Sequence, residues 1–359
     1  MNKLIKKINS FFLRVSTQNQ IIFVKHLAVM VKSGMPILSS LMMIQKQTKS
    51  KSLFKILQQL IIDVDNGQFL SASLDQFNSV FGDLFINIIR VGEASGTLVE
   101  NLNFLAGELE KKQELKRKVK GALIYPIIVL TATIGIVGLL VFFVFPKILP
   151  RFQDMKFQLP LTTRILINVN NFILANWHFI ILAVFVFAIA TWLLLKIKIM
   201  KYYYHFFLLK VPLVGTMIQN VNMANFTRSF GVLLKSGVKI VESLSITSSA
   251  LSNLVYRKEL TRAADEITKG EQISKYFFKK EKFFPIMLAQ MIEVGENTGN
   301  LSETLFYLAE FYEAEVDAIT KNLASVLEPI LLLVMGVIVG FVALSIIMPI
   351  YSLTQSLSL

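Results

Sequence analysis

The sequence predicts an all-helical membrane protein with two copies of one helical domain and three transmembrane helices. The chain is 54% hydrophobic and only 17% charged, a composition that is typical of membrane proteins. Three long apolar segments carry no charged side chain, and one stretch of sequence occurs twice at a fixed spacing. Elsewhere, apolar residues recur at helical spacing, and no segment alternates long enough to indicate a strand.

The repeat is centred on a short glycine motif. The motif Gly-Glu-x-x-Gly begins at Gly92 and begins again at Gly295, 203 residues later. The same step pairs Gly34, Gly92, Glu93, Gly96 and Pro126 with Gly237, Gly295, Glu296, Gly299 and Pro329. Other residues rarely meet the backbone demands of Gly and Pro. The two copies, from about residue 20 to 146 and from about 223 to 349, are therefore predicted to share a fold.

The glycine motif has a structural interpretation and a functional one. Gly92 and Gly96 are predicted to bracket a tight turn between two helices, and Gly34 is predicted to end a helix in the left-handed conformation. Helix capping within the turn leaves Glu93 and Glu296 unexplained. These two carboxylates are therefore either part of the corner or face a partner.

The order of segments follows from the apolar runs, because about 20 apolar residues at 1.5 Å each cross a bilayer. The predicted segments are a short basic N-terminal segment (1–16), a first cytoplasmic helical domain (17–121), a first transmembrane helix (122–146), an extracytoplasmic loop (147–172), a second transmembrane helix (173–195), a second cytoplasmic helical domain (196–325), a third transmembrane helix (326–350) and an extracytoplasmic tail (351–359). The N-terminal segment is either an interfacial amphipathic helix or a frayed terminus.

Two prolines and one carboxylate stand out in the apolar segments. Pro126 is predicted either to begin the first span or to kink it, and Pro329 holds the same position in the third. Glu328, at the mouth of the third span, is the one ionisable group there. It is either a capping or interface residue or a functional group, since charge inside a membrane is costly.

Charge distribution predicts the orientation in the membrane. Basic residues cluster before the first span and after the second, whereas the tail has none. The positive-inside rule then places the N-terminus and both helical domains in the cytoplasm and the tail outside. The net charge of +13 is predicted to face the anionic membrane surface rather than nucleic acid.

The sequence lacks the residues that most chemistry requires. It has no Cys and only three widely separated His, so disulfides, thiolate metal sites and His clusters are excluded. It contains no phosphate-binding loop and no hydrolase motif. The prediction is a protein that is not an enzyme and holds no cofactor or metal. A small-solute transporter is a remote alternative, because transporters typically show inverted repeats and polar sites within the membrane.

One surface of the second copy is a candidate site. Residues 283–320 contain acidic side chains and no basic one. The candidate partner residues are Glu303, Glu310, Glu313 and Asp317. Three of them lie seven residues apart, which places them on one side of a helix. The alternatives are a solvated acidic face, a divalent-cation site and a surface that meets a basic partner, which is our hypothesis.

Taken together, these motifs resemble one protein family. Lys-Ser-Gly at residues 32–34, the Gly-Glu-x-x-Gly pair, Tyr-Pro at 125–126, Glu-Pro at 328–329 and Leu-Pro-x-x-Thr at 159–163 are similar to those of GspF/PilC inner-membrane platform proteins. The resemblance implies the platform of a type IV pilus machine, which couples a cytoplasmic motor ATPase to pilin extraction and pilus assembly. The alternative within the family is the platform of a type II secretion pseudopilus.

The resemblance also implies the partners of the chain. These are the motor ATPase, pilins or pseudopilins, other inner-membrane components, further copies of the chain and the lipid bilayer, but not nucleic acid. Many family members carry a longer N-terminal segment than the one before this first repeat, a difference that favours a pilus or competence-pilus system.

Overall fold

A computed structural model describes residues 13–153 and 159–357, and every regular element in these ranges is helical. The first copy contains α1 (Thr17–Lys32), α2 (Ile37–Gln47), α3 (Lys51–Asp65), α4 (Leu70–Asp75), α5 (Asn78–Phe81), α6 (Asp83–Ser95) and α7 (Leu98–Leu139). A π-helical turn (Leu140–Val144), α8 (Phe145–Gln153) and α9 (Leu161–Leu194) follow. Helix α10 (Lys198–Leu208) precedes the second copy, which contains α11 (Val214–Lys235), α12 (Ile240–Ala250), α13 (Leu254–Thr268), α14 (Ile273–Phe278), α15 (Ile286–Thr298) and α16 (Leu301–Leu357).

The helix ends repeat at the same spacing as the sequence. Helix α2 begins at Ile37 and α12 at Ile240, while α6 ends at Ser95 and α15 at Thr298. Each pair of positions is 203 residues apart, as the glycine motifs are. The structure therefore confirms the predicted all-helical class, and it shows the repeat in the helix boundaries themselves.

The aromatic core of each copy follows the same register. Phe23 of α1 lies against Phe81, with ring centroids 6.2 Å apart. The corresponding pair in the second copy, Phe226 and Phe284, has centroids 6.4 Å apart. All four side chains are buried. The copies thus keep both their helix ends and the side chains that hold α1 or α11 against the rest of the domain.

The two copies form one compact unit, made of residues up to Arg117 and from Tyr202 to Asp317. Val232 and Leu233 of the second copy belong to the hydrophobic core of the first. Phe104 meets Phe306 edge to face, with centroids 5.9 Å apart. The sequence predicts two domains but not this shared core.

The remaining residues, Lys118–Lys201 and Ala318–Leu359, form a second unit. Its small core contains Val141, Leu166 and Ile167, with Phe341 and other side chains of α16 packed against them. The Leu-Pro-x-x-Thr motif lies at the start of α9 and contributes a contact to this unit. Its proline precedes the first residue of α9, and the buried Thr163 hydroxyl donates to the Ser345 carbonyl at 2.7 Å. That bond satisfies a hydroxyl that would be costly to bury alone.

Three helices in the described part of the chain are long and apolar enough to cross a membrane. They are found within Leu98–Pro150, Leu161–Leu194 and Pro329–Tyr351. Their number agrees with the predicted three spans. The predicted bounds 122–146, 173–195 and 326–350 differ from the helix bounds, because the helices extend well beyond the apolar segments.

Pro126 and Pro329 both lie inside helices, and the third apolar span begins at Pro329. The basic stretch from Lys111 to Lys120 continues α7, because Lys, Arg, Glu and Gln are good helix formers and do not end a helix. Helix α9 already begins at Leu161, so part of the predicted loop 147–172 is helical.

Two further predictions fall outside the described residues. Residues 1–12 of the N-terminal segment are not described. Glu328 lies within α16, but its side chain is outside the described part of the structure.

Candidate functional site

The glycine corner between α6 and α7, repeated between α15 and α16, depends on backbone conformation. Gly96 ends α6 with φ 74°, and Gly299 ends α15 with φ 73°. Residues with a side chain rarely adopt this left-handed conformation. Gly34 and Gly237 follow the first helix of each copy with φ 83° and 85°, so they have the left-handed geometry predicted for a helix end.

Gly92 and Gly295 have a different role from the predicted one. They do not bracket the turn, because each lies inside the last turns of its helix and is buried. A Cβ at Gly92 would lie 3.0 Å from the Leu98 Cα, and one at Gly295 would lie 2.9 Å from the Leu301 Cα. The absence of a side chain therefore lets the two helices of each corner approach closely.

The glutamate of each motif caps a neighbouring helix. The two carboxylate oxygens of Glu93 accept hydrogen bonds from the Leu70 N–H at 2.7 Å and the Ser71 N–H at 2.9 Å. Glu296 accepts equivalent bonds from the first two residues of α14, at 2.9 and 3.2 Å. Free N–H groups at a helix start favour a carboxylate. Helix capping therefore explains both glutamates, and no contact with a partner protein is needed to account for them.

The acidic residues of α16 do not all lie on one open face. Glu303 and Glu310 are exposed, whereas Asp317 is half-buried. Seven residues of helix separate neighbouring members of this set by about 10 Å, which is too far for them to share one cation. The described residues contain no group of three or more His, Cys, Asp or Glu that could hold a metal ion.

Glu313 lies instead in an ion cluster between the two copies. The Arg228 Nε donates to the Glu313 Oε1 at 2.6 Å, and the Arg228 Nη1 lies 3.5 Å from the Glu108 Oε1. The exposed fractions of these side chains are 11% for Arg228, 9% for Glu108 and 18% for Glu313. Glu108 belongs to α7 of the first copy, whereas Arg228 and Glu313 belong to the second, so the pair of Arg228 and Glu108 joins the copies.

The first copy contains the counterpart of this cluster in an exposed form. Lys25 and Glu110 occupy the positions of Arg228 and Glu313, 203 residues earlier, and their Nζ and Oε1 atoms are 2.5 Å apart. Both side chains are 49% exposed. The sequence could have indicated the ion pairs Lys25–Glu110 and Arg228–Glu313, because both copies carry a basic and an acidic residue at these matching positions. Glu108 had no such signal, since Phe311 occupies its matching position.

The ion cluster lines a cavity of about 290 Å³ between the copies. Asp83 also lines it, and accepts hydrogen bonds from Ser249 at 2.6 Å and Asn78 at 2.6 Å. Burial raises the pKa of Glu108 to about 7, although the Arg228 guanidinium opposes that rise. The group titrates near neutral pH, so the cluster can change charge there. The side chains that line the cavity offer packing and charge.

Comparison with known proteins supports the resemblance seen in the motifs. A family model described as type II secretion system (T2SS) protein F matches residues 23–146 and again residues 226–349. The type IV pilus assembly protein PilC of Thermus thermophilus is 32% identical, over 94% of this chain and 83% of that protein. PilC of Myxococcus xanthus is 31% identical, over 96% and 82%.

The type II secretion system protein F of Pseudomonas aeruginosa is 31% identical, over 95% of this chain and 84% of that protein. The two matches of the family model are offset by the same 203 residues as the glycine corners. The prediction that the chain is not an enzyme agrees with this family of non-enzymatic membrane proteins. The chain belongs to the type II secretion system protein F family.

Proposed function

We propose that the chain is the inner-membrane assembly platform of a type IV pilus machine, which couples a cytoplasmic motor ATPase to pilin extraction and pilus assembly. The observation that carries this proposal is the family match to both repeats. Two of the relatives are named for type IV pilus assembly and align with more than nine-tenths of the chain, at 94% and 96%. In this role the chain supplies contact surfaces and mechanical connection, while the motor supplies the chemistry.

The long helices suit a mechanical role. Helix α7 runs from the first glycine corner into the first apolar segment, as far as Leu139, and α16 runs from the second corner through the third apolar segment. A continuous α-helix resists bending more than a loop does, because each turn is hydrogen-bonded to the next. The backbone that leads from each corner to an apolar segment is therefore helical rather than a flexible linker.

The orientation in this proposal places both repeats in the cytoplasm, where the motor acts. The clusters of basic residues before the first apolar segment and after the second support that orientation. Glu303 and Glu310, which are exposed on α16, are the proposed contact with a basic surface of the motor or of another copy of the chain. Opposite charges would steer and register such a contact more than they would tighten it.

The platform of a type II secretion pseudopilus is the second candidate function. The match to protein F of Pseudomonas aeruginosa at 31% identity favours it. The experiment that separates the two is deletion of the gene in its own organism. Surface pili are then counted on intact cells by electron microscopy, and secreted protein is measured in the culture medium.

The pilus proposal predicts loss of surface pili with normal secretion, and recovery when the wild-type gene is returned. Loss of secretion with normal pili would favour the secretion platform instead. A strain that keeps both pili and secretion would contradict both candidates. Returning the gene with Glu303→Lys and Glu310→Lys tests the acidic contact, which predicts fewer pili at unchanged protein abundance.

A further inference from the structure

Helix α10 presents an apolar side outward. None of its residues is buried. The exposed apolar side chains are Ile199, Met200, Tyr203, Tyr204 and Phe207, with exposed fractions between 45% and 66%. At about 100° of rotation per residue, these five fall within one side of the helix. Exposed apolar patches of this kind mark contacts with a membrane or a partner.

The opposite side of α10 is attached to the second copy. The His205 Nδ1 accepts a hydrogen bond from the Leu254 N–H at 3.0 Å. The Lys258 Nζ lies 5.1 Å from the centre of the Tyr202 ring, within the range of a cation–π interaction. These contacts hold the helix with its apolar side away from the protein, the reverse of the usual arrangement of an amphipathic helix on a soluble domain.

The turn after α10 restricts its movement further. Leu213 has φ 65° and ψ −52°, and the Val214 N–H donates to the Pro212 carbonyl at 2.8 Å. This is a γ-turn of the rare, strained type. A Cβ at Gly215 would lie 2.4 Å from the Leu209 carbonyl oxygen, so the backbone on the two sides of the turn is in close contact. The outward orientation of α10 is thus built into the chain.

Charge and chain continuity indicate what covers the apolar side. Helix α9, which is long and apolar enough to cross a membrane, ends at Leu194, and α10 begins at Lys198. The basic residues in and beside α10 are Lys196, Lys198, Lys201 and Lys210. No acidic residue occurs between residues 155 and 241. The Lys196 Nζ lies 3.5 Å from the centre of the Trp192 ring, an aromatic residue of the kind enriched where a span meets water.

We propose that α10 lies along the surface of the membrane, with Tyr203 and Phe207 inserted at headgroup level and its lysines attracted to anionic phospholipids. Tyrosine suits this position because its ring is apolar and its hydroxyl stays hydrated. Lysine side chains reach the headgroups while their stems cover apolar surface. The helix would fix the second repeat against the bilayer, whichever machine the platform serves.

The test uses the absence of cysteine from the sequence. Single variants Tyr203→Cys and Phe207→Cys of the full-length chain carry a nitroxide label in nanodiscs of phosphatidylethanolamine and phosphatidylglycerol. Collisions with oxygen, which concentrates in lipid, are compared with collisions with a water-soluble nickel chelate. Matched controls are Val294→Cys on α15 and Tyr307→Cys on α16, two exposed side chains of the second copy.

Labels at 203 and 207 are expected to collide severalfold more often with oxygen than with nickel, and the control labels the reverse. Labels at 203 and 207 that are as open to nickel as the label at 307 would overturn the proposal. Labels shielded from both reagents, or broadened by a second label nearby, would also overturn it, since a protein would then cover the helix.

A separate experiment tests whether anionic lipids attract the lysines of α10. Nanodiscs of phosphatidylcholine alone, or the triple variant Lys196→Gln, Lys198→Gln and Lys201→Gln in anionic nanodiscs, are each expected to move the label at 207 toward water. A label depth that responds to neither change would overturn the role of anionic lipid.

Discussion

Removing the cation between the repeats should destabilise the protein far more than removing its exposed counterpart. In the variant Arg228→Met, the methionine keeps an unbranched apolar stem but leaves Glu108 and Glu313 without their shared partner. The side chains of both carboxylates are mostly buried, with exposed fractions of 9% and 18%. The corresponding change in the first copy, Lys25→Met, leaves a carboxylate that is 49% exposed and therefore remains hydrated.

The expected losses in the free energy of unfolding follow from how deeply each ion pair is buried. Breaking a buried ion pair by removing one partner costs about 3–5 kcal/mol, because a charge is left uncompensated. Protonation of Glu108, whose pKa is already about 7, relieves part of that cost. We expect a loss of about 3 kcal/mol at pH 8 and a smaller loss at pH 6, where the proton binds more readily. An exposed pair such as the one at Lys25 contributes about 0–1 kcal/mol.

The assay is thermal unfolding of the full-length protein in nanodiscs, followed by far-ultraviolet circular dichroism. For a unit of this size, a melting temperature falls by about 2–4 °C per kcal/mol. Arg228→Met should therefore melt about 6–12 °C below the wild type at pH 8, while Lys25→Met should melt close to it. Equal melting temperatures of the two variants would refute the reasoning that the buried cluster joins the copies.

Three further outcomes are expected in the same assay. Burial raises the pKa of Glu108 from the usual 4.5 to about 7, so the folded protein holds this proton more tightly than the unfolded chain does. The free energy of unfolding should therefore fall by about 1–3 kcal/mol from pH 5 to 8. Glu108→Gln should make this dependence on pH weaker, and an unchanged dependence would contradict the role of Glu108. Gly92→Ala should cost about 1–3 kcal/mol through overpacking, whereas Gly107→Ala, with open space around it, should stabilise by up to about 1 kcal/mol. Glu296→Gln should cost about 1 kcal/mol by weakening the cap of α14, and no loss would refute the capping role.

The sequence was sufficient for the features that repeat or that depend on local chemistry. The glycine after the first helix predicted a left-handed helix end, which Gly34 and its counterpart Gly237 show. Apolar segments predicted three helices long enough to cross a membrane. These features are readable because a single residue type, or a run of apolar residues, determines each of them.

The features that the sequence did not reveal depend on long-range contacts. Glu93 caps a helix that begins 23 residues earlier at Leu70, and such a partner is visible only once the chain has folded. The sequence places Gly92 in a turn, because the close approach of α7 that requires a glycine there arises only when the two helices pack. The burial of Arg228 likewise depends on how the copies pack, since its counterpart Lys25 is exposed in the same local sequence context.

The claim that the chain transmits the work of a motor without chemistry of its own is tested most directly with purified components. Full-length chain in nanodiscs is mixed with the pilus motor ATPase of the same organism, and both binding and ATP hydrolysis are measured. The account predicts a stable complex with the motor, weakened by Glu303→Lys with Glu310→Lys, and no hydrolysis by the chain alone. Hydrolysis by a preparation proven free of the motor, or no binding to the motor by the folded chain, would contradict it.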